Sequence, residues 1–390
     1  MPSLADTVND RFITRSISLL RIEAGIRRKV IAMLKKLESE LAAQVARIDP
    51  TGVAATSYQK ARMQALLTQT RETLRTAYSD IHRAVRKDLR AIATSESQFV
   101  LNAINNAVGI DLASVAVTRE TLMALASEAL IEGQPARTWW SRQAGTTHQR
   151  FVDAMQQGLL RNETNGQLVQ RVRGTKAKGY ADGIMETSRK SAERLIRTSA
   201  NSVANAARME TFEKNSDICR GFVQLSTLDS RTSLICIGYS GKKWTLDKRP
   251  VGHNLPFNNG TPRHWNCRSV IQPWLKSWQE LSRTDAILTG GRPTSISRYF
   301  EQRLREKGLS EEQIKAAKMN VRSSMDGEVP ASVPFGDWLR SKEKSSPGFA
   351  ADLLGATRAR LFLQRKISLE DLLDFKGNPL SVEALLQETA

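Results

Sequence analysis

The sequence predicts a mainly α protein carrying one small α+β module. Three observations point there. Two long runs place apolar residues three and four apart. Near residue 216, turn residues and strict alternation replace that spacing. Charged helical segments then return towards the C-terminus. The chain has 390 residues, room for two or three domains at ~150 residues each. With 40% hydrophobic and 25% charged residues it has a globular composition and can bury a sizeable core.

Residues 12–48 read as a long helix, with Ile26, Val30, Met33, Leu37, Leu41, Val45 and Ile48 on one face and Arg27, Arg28, Lys29, Lys35 and Lys36 on the other. Asp49-Pro50-Thr51-Gly52 stops it, because proline lacks a backbone donor and clashes with the preceding turn. A second helix over 56–93 carries Met63, Leu66, Leu67, Leu74, Tyr78, Ile81, Val85 and Leu89. The two make an αα-hairpin, an N-terminal unit of residues 1–95. A two-helix unit seldom buries such stripes alone, so helices within 96–214, a second copy or another protein must cover them.

Residues 96–135 continue as helices, with Asp111 and Thr118 as N-caps, and Thr138-Trp139-Trp140 forms an amphipathic aromatic segment. A helix over 147–172 carries Phe151, Met155, Leu159, Leu160, Leu168 and Val172, with a break near Asn165-Gly166. Another over 181–214 lines Ala192, Ala200, Ala204 and Ala207 along one stripe, which permits close packing. Strand-like alternation then appears at Phe222, Gln224, Ser226 and Leu228. A long loop with Pro250, Gly252, Pro256, Gly260 and Pro262 follows, and a strand resumes over 268–274. Residues 96–275 thus form a second unit whose strand- and loop-rich module is 216–275. Residues 276–390 form a helical C-terminal region with charged segments at 301–307 and 311–318 and a loop at 325–336.

Charge supplies the first functional clue. There are 58 Lys and Arg against 40 Asp and Glu, a net +18. A balance this basic favours a polyanionic partner such as double-stranded DNA, bound without regard to sequence; the rival is that the basic faces are solvated surface serving solubility or contact with an acidic protein. The candidate contacts are Arg27, Arg28, Lys29, Lys35 and Lys36 on the first helix and Arg83, Arg86, Lys87 and Arg90 on the second. No apolar run approaches the ~18 residues of a membrane span, so no membrane is expected. The N-terminus has early acids and no apolar core of a secretory signal. Cys219, Cys236 and Cys267 are too few for a disulfide framework, and a reducing compartment is expected. Phosphate-cradling glycine loops and H-E-x-x-H are missing from the sequence.

One constellation concentrates chemistry-bearing residues: Asp229, Arg231, Thr232 and Cys236, then, after the long loop, His264, Cys267 and Arg268. Cys236, His264 and Cys267 are zinc-type donors, and His-x-x-Cys spacing brings two of them to one ion. His253, Asp229 or Cys219 would supply a fourth ligand. The same residues also admit a cysteine–histidine nucleophile, or a buried thiol pair beside a hydrogen-bonded histidine. Asp229 and Arg231, two apart in a strand-like segment, would share a face and pin the loop that bears Arg268.

Arg197-Thr198, Ala200-Asn201 and Asn205-Ala-Ala-Arg208, followed by Leu228-Asp229-Ser-Arg231-Thr232, Cys236 and Pro262-x-His264-x-x-Cys267-Arg268-Ser269, resemble the phage Mu protein F-like minor head proteins over roughly 150–275. Asp337-Trp338-Leu339, Leu354-Gly355, Arg358, Arg360, Ile367-Ser-Leu369-Glu-Asp371, Leu380 and Leu385 resemble the tail that often follows that domain. Where many members carry an acid and a glycine soon after the cysteine, this chain has Ile237-Gly238-Tyr239-Ser240-Gly241. The resemblance implies a non-enzymatic minor protein of a tailed-phage head, made in the host cytoplasm and held in the virion near the portal and inner capsid. There it would act in head assembly and in DNA packaging or ejection. It implies no catalytic residue and no obligatory cofactor. A structural zinc on Cys236, His264 and Cys267 stays open, and the alternative is a metal- or cysteine-dependent enzyme carried in the virion.

Overall fold

The computed structural model describes residues 4–47, 57–108, 113–161, 163–276, 280, 321–324, 327–330 and 333–388. The apolar periodicity at the N-terminus becomes α1 (Leu4–Ala46) and α2 (Ser57–Val108), the second running well past the expected end at residue 93. Ile26, Val30, Leu34, Leu37, Leu41 and Val45 are buried on α1. Met33, expected on that stripe, is only half-buried, because Leu34 continues the i, i+4 step from Val30. Ile48 and Asp111 lie outside the described residues. Thr118 caps α3 (Arg119–Glu128), its hydroxyl accepting from the Thr121 amide at 3.3 Å.

The described chain divides into two units. One comprises Met1–Leu19, Ala93–Leu122 and Ala204–Ala390, and the other Leu20–Ile92 and Met123–Val203. The division falls inside α1, α2, α3 and α6 (Ile184–Lys214).

Of the stretch 96–135 expected as helices, α2 to Val108 and α3 are helical, and in the second unit α3 is followed by a tiny hairpin, β1 (Leu130–Ile131) and β2 (Gln134–Pro135). Glu132 and Gly133 both take positive φ between the strands, as a two-residue hairpin turn requires. α4 (Ala136–Leu160) follows, with Trp140, Phe151 and Met155 buried, whereas Leu160, expected on the apolar face, is 86% exposed. α5 (Asn165–Arg173) begins with a capping box. The Thr164 hydroxyl accepts from the Gln167 amide while the Gln167 side chain accepts from the Thr164 amide. The stripes of α1 and α2 are covered within this unit. Tyr78 packs on Trp140 and joins a buried hydroxyl chain, 3.1 Å to Thr147 and 2.9 Å onward to Ser188. Glu38 of α1 pairs with Arg189 of α6.

The first unit holds a four-stranded antiparallel sheet in the order β5-β4-β3-β6. Its strands are β3 (Cys219–Leu225), β4 (Lys243–Thr245), β5 (Pro250–Val251) and β6 (Val270–Leu275). In register, Phe222 of the central strand faces Trp244 on one side and Pro273 on the other. The predicted alternation is real, since Phe222, Gln224, Ser226 and Leu228 are all buried. One core gathers Phe12, Phe212, Phe222, Trp244, Phe257 and Ile271. A second gathers Leu228, Ile237, Trp338, Leu339, Phe362 and Leu372 around the C-terminal helices α8 (Phe335–Ser345), α9 (Phe349–Leu354), α10 (Ala356–Leu363) and α11 (Val382–Glu388). The segment expected as a loop at 325–336 contains β8 (Gly327–Pro330), paired with β7 (Val321–Ser324), and opens α8 at Phe335. The charged segments expected as helices at 301–307 and 311–318 lie outside the described residues.

Glu96 on α2 is fully buried in this unit. Its carboxylate accepts from Arg208 Nε of α6 and Arg15 Nε of α1, each at 2.7 Å. Three residues before Arg208, Asn205 accepts from the Ile271 amide at 2.8 Å and ties α6 to β6. Removing one partner of a buried pair strands the other, so Glu96→Ala should cost about 3–5 kcal/mol in urea unfolding. Glu72→Ala, which breaks the exposed pair with Arg75, should cost under about 1 kcal/mol. Gly221 allows no side chain, since a Cβ there would lie 1.9 Å from the Trp244 carbonyl oxygen. Gly221→Ala should therefore abolish soluble expression or collapse the melting transition.

Candidate functional site

The predicted constellation assembles around a turn and a six-residue helix. Asp229 does not sit in a strand. Its Oδ1 accepts from the Arg231 amide at 3.0 Å, and Thr232 Oγ1 lies 3.0 Å from the same oxygen and 2.6 Å from the Thr227 carbonyl. A short acid that caps its own backbone forms such a turn in preference to a ladder. The expectation that Asp229 and Arg231 share a strand face is therefore corrected. The Arg231 side chain is 82% exposed, and its Nη2 stands 3.8 Å from Asp229. The close partner is Arg268, whose guanidinium donates through Nη2 to Asp229 Oδ1 at 2.7 Å and through Nη1 to Oδ2. This fork joins the turn to the end of the long loop. Burial pushes the Asp229 carboxyl up, but the Arg268 hydrogen bonds and charge, with the Arg231 amide and Thr232 hydroxyl, outweigh it and hold the group below its ordinary range.

Ser233 then caps α7 (Leu234–Tyr239), its hydroxyl accepting from the Cys236 amide at 3.4 Å. Cys236, expected in a strand-like run, therefore lies on a helix. Its sulfur is 3.2 Å from His264 Nε2 and 3.6 Å from Cys267 Sγ. The Cys267 amide donates to the His264 carbonyl at 3.2 Å, with Asn266 left-handed at φ 62° between them, so the His-x-x-Cys turn presents both side chains to Cys236. His264 Nδ1 lies 2.8 Å from the Trp265 carbonyl, which can only accept. In the neutral ring Nδ1 therefore carries the proton, and Nε2 presents its lone pair to Cys236 and to Ser233 Oγ at 2.8 Å. The contact with Cys267 and burial drive Cys236 well above the usual thiol range, and the hydrogen bond from Cys236, aided by His264, holds Cys267 well below it.

Among the described residues the potential metal donors within 4.8 Å of one another are Cys236, His264 and Cys267. The three residues expected as a fourth ligand are engaged elsewhere. Cys219 lies in the first core, where burial pushes its thiol up to about 12. His253 Nε2 is 2.8 Å from the Lys243 carbonyl, and its Nδ1 accepts from the Leu255 amide. Asp229 is held by Arg268.

Sequence reading missed the polar floor beneath this cluster. Ser226 Oγ donates to the Cys236 carbonyl at 2.6 Å and lies 3.0 Å from Ser269 Oγ. It also missed Arg263, inside the Pro-x-His motif. Its guanidinium lies 3.4 Å from the Tyr239 ring centroid and donates to Gln224 at 2.6 Å and to the Phe257 carbonyl at 3.1 Å. Burial pulls this cation down to about 10. The available signal was Gln224, an amide in an otherwise apolar alternation that had to be answered by a polar partner.

The nine basic residues expected at DNA all lie in the unit of Leu20–Ile92 and Met123–Val203. Arg28, Lys29, Lys35, Lys36, Arg83 and Lys87 are exposed, and Arg27, Arg86 and Arg90 are half-buried. Arg27 pairs with Glu23 at 2.9 Å, Lys29 with Asp88 at 3.0 Å and Arg83 with Asp80 at 3.0 Å, so part of the charge is neutralised locally.

Loss of the Asp229–Arg268 fork leaves a buried carboxylate without its cation, and Arg268→Ala should lower stability by about 2 kcal/mol in thermal or urea melts. The pH dependence follows from the depressed Asp229. Its contribution is complete above the unfolded value of about 3.9 and is lost as pH falls through the lower folded value. The stability gap between wild type and Asp229→Asn should therefore close on acidification, which urea midpoints at neutral and strongly acidic pH would show.

Residues 146–272 match the family model for Phage Mu protein F like protein. No curated protein and no solved structure matches the chain. The matched stretch contains α5, α6, the turn at Asp229, α7 and the His-x-x-Cys turn. Over these residues the chain is similar to the Mu protein F-like proteins of phage head morphogenesis.

Proposed function

We propose that this protein is a minor structural component of a tailed-phage head. In this reading it is held at the portal vertex and inner capsid, is associated with packaged double-stranded DNA, and acts in head assembly and in DNA packaging or ejection. The match over residues 146–272 carries the reading. The chemistry of the motif residues supports it. Asn205, Arg208, Asp229 and Arg268 spend their polar groups on other parts of the same unit. That is the behaviour of fold anchors. Among the described residues no helix is long and apolar enough to cross a membrane.

The rival reading, a cysteine-dependent enzyme, draws on the 3.2 Å approach of Cys236 to His264. Access argues against it, since Cys236 and Cys267 are only 2% and 1% exposed. A nucleophile needs a thiolate that substrate can reach.

Mass spectrometry of purified virions from the phage or prophage that encodes the chain tests the head assignment. The protein should be present at low copy, and particles assembled without it should be defective in head formation or DNA delivery. Virions that lack the protein and infect normally would overturn the proposal.

The DNA association has its own test. With a net +18 and exposed Arg28, Lys35, Lys36 and Lys87, the logarithm of affinity should fall linearly with the logarithm of salt, regardless of DNA sequence. The double variant Lys35→Glu/Lys36→Glu should bind more weakly and reduce that slope by about 1 per lysine. Binding that is insensitive to salt, or to the double variant, would remove these helices from the DNA contact.

A further inference from the structure

We infer that Cys236 Sγ, Cys267 Sγ and His264 Nε2 bind a zinc ion, with water in the fourth position, and that this ion fastens α7 to the His-x-x-Cys turn. The donor set is the first argument, since two sulfurs and one imidazole nitrogen suit zinc and not the hard cations. Geometry is the second. Tetrahedral zinc, with Zn–S about 2.3 Å and Zn–N about 2.0–2.1 Å, sets its sulfurs about 3.8 Å apart and sulfur and nitrogen about 3.5 Å apart. The protein holds them at 3.6 Å and 3.2 Å. A disulfide needs its sulfurs at about 2.05 Å, so the two cysteines stand at ligand spacing.

Orientation is the third argument. The Trp265 carbonyl takes the Nδ1 proton and turns the Nε2 lone pair to the sulfurs, the arrangement by which metal-binding histidines are fixed. The supports beneath are built as well. Ser233 fixes the Cys236 amide, Ser226 fixes its carbonyl, and the backbone bond from Cys267 to His264 fixes the other two donors. With no fourth histidine, cysteine or carboxylate in reach among the described residues, the last position falls to solvent on the half-buried His264 side. The role follows from topology. A long, turn-rich connection separates Cys236 from the His264–Cys267 turn along the chain, and a common ion closes it beside the Asp229–Arg268 fork and the Ser233–His264 contact.

Elemental analysis of full-length protein purified without chelator should find stoichiometric zinc in wild type and in Cys219→Ser, which removes a buried thiol outside the site. Zinc should fall to near zero in Cys236→Ser and Cys267→Ser. Cobalt exchanged into the wild-type chain should show thiolate charge-transfer absorption and intense tetrahedral visible bands. Chelation should lower the melting temperature of wild type and leave that of Cys267→Ser unchanged. Wild-type protein that holds no zinc after expression in zinc-replete medium and gives no cobalt–thiolate band would overturn the inference. Full zinc content in both cysteine variants would do the same. The wild-type zinc and cobalt readings decide the question even where a variant fails to fold.

Discussion

The first unit hangs on one buried carboxylate. Glu96 brings a charge into a core lined by Phe12, Phe99 and Phe212, and only the two guanidinium groups of Arg15 and Arg208 make that tolerable. The three residues come from α1, α2 and α6, so satisfying the charge fixes those helices against one another within the unit. The guanidinium groups also lie 5.4 Å from the centroids of Phe99 and Phe12, which places their apolar faces on the aromatic core. A triad of this kind does not maximise stability, because desolvation consumes most of the Coulomb gain. It does penalise every arrangement in which one member is left alone.

The remaining order follows from that arrangement. With α6 fixed through Arg208, Asn205 one turn earlier pins β6, and β6 sets β3 in register. The strand delivers the chain to the Asp229 turn, where Arg268, two residues before β6, closes the fork. Ser269 and Ser226 then face each other beneath Cys236. The sulfur–imidazole cluster thus stands at the end of a series of polar contacts, each satisfied by a residue from a different element.

Much of this was legible in the sequence, and the failures have physical causes. The stripes of α1 and α2 were readable because burial on a helix must repeat with its turn. The substitution of Leu34 for Met33 lies within the width of such a stripe. Leu160 misled because the buried stripe of α4 steps through Phe151, Met155 and Gly158, and Leu160, two residues further on, faces away from it. His264 and Cys267 could be paired from their spacing. The helix at Cys236 could not, since six residues carry too little periodicity to distinguish it from a strand. The sequence offers no mark on Glu96. An acid in a long charged helix looks like surface, and only the packing of three distant segments reveals it as core.

Helix α7 is only six residues long. A helix that short has no stability of its own, because nucleation costs more than so few hydrogen bonds return. Its order is borrowed from both sides, for Ile237 belongs to the core of the C-terminal helices and Tyr239 to the core of the sheet. Neither core can loosen without releasing the segment between them. The Cys236 thiol is consequently shielded by the opening free energy of whichever core loosens first. Its exchange with solvent, oxidants or alkylating reagents tracks sub-global unfolding of the unit and not local fraying.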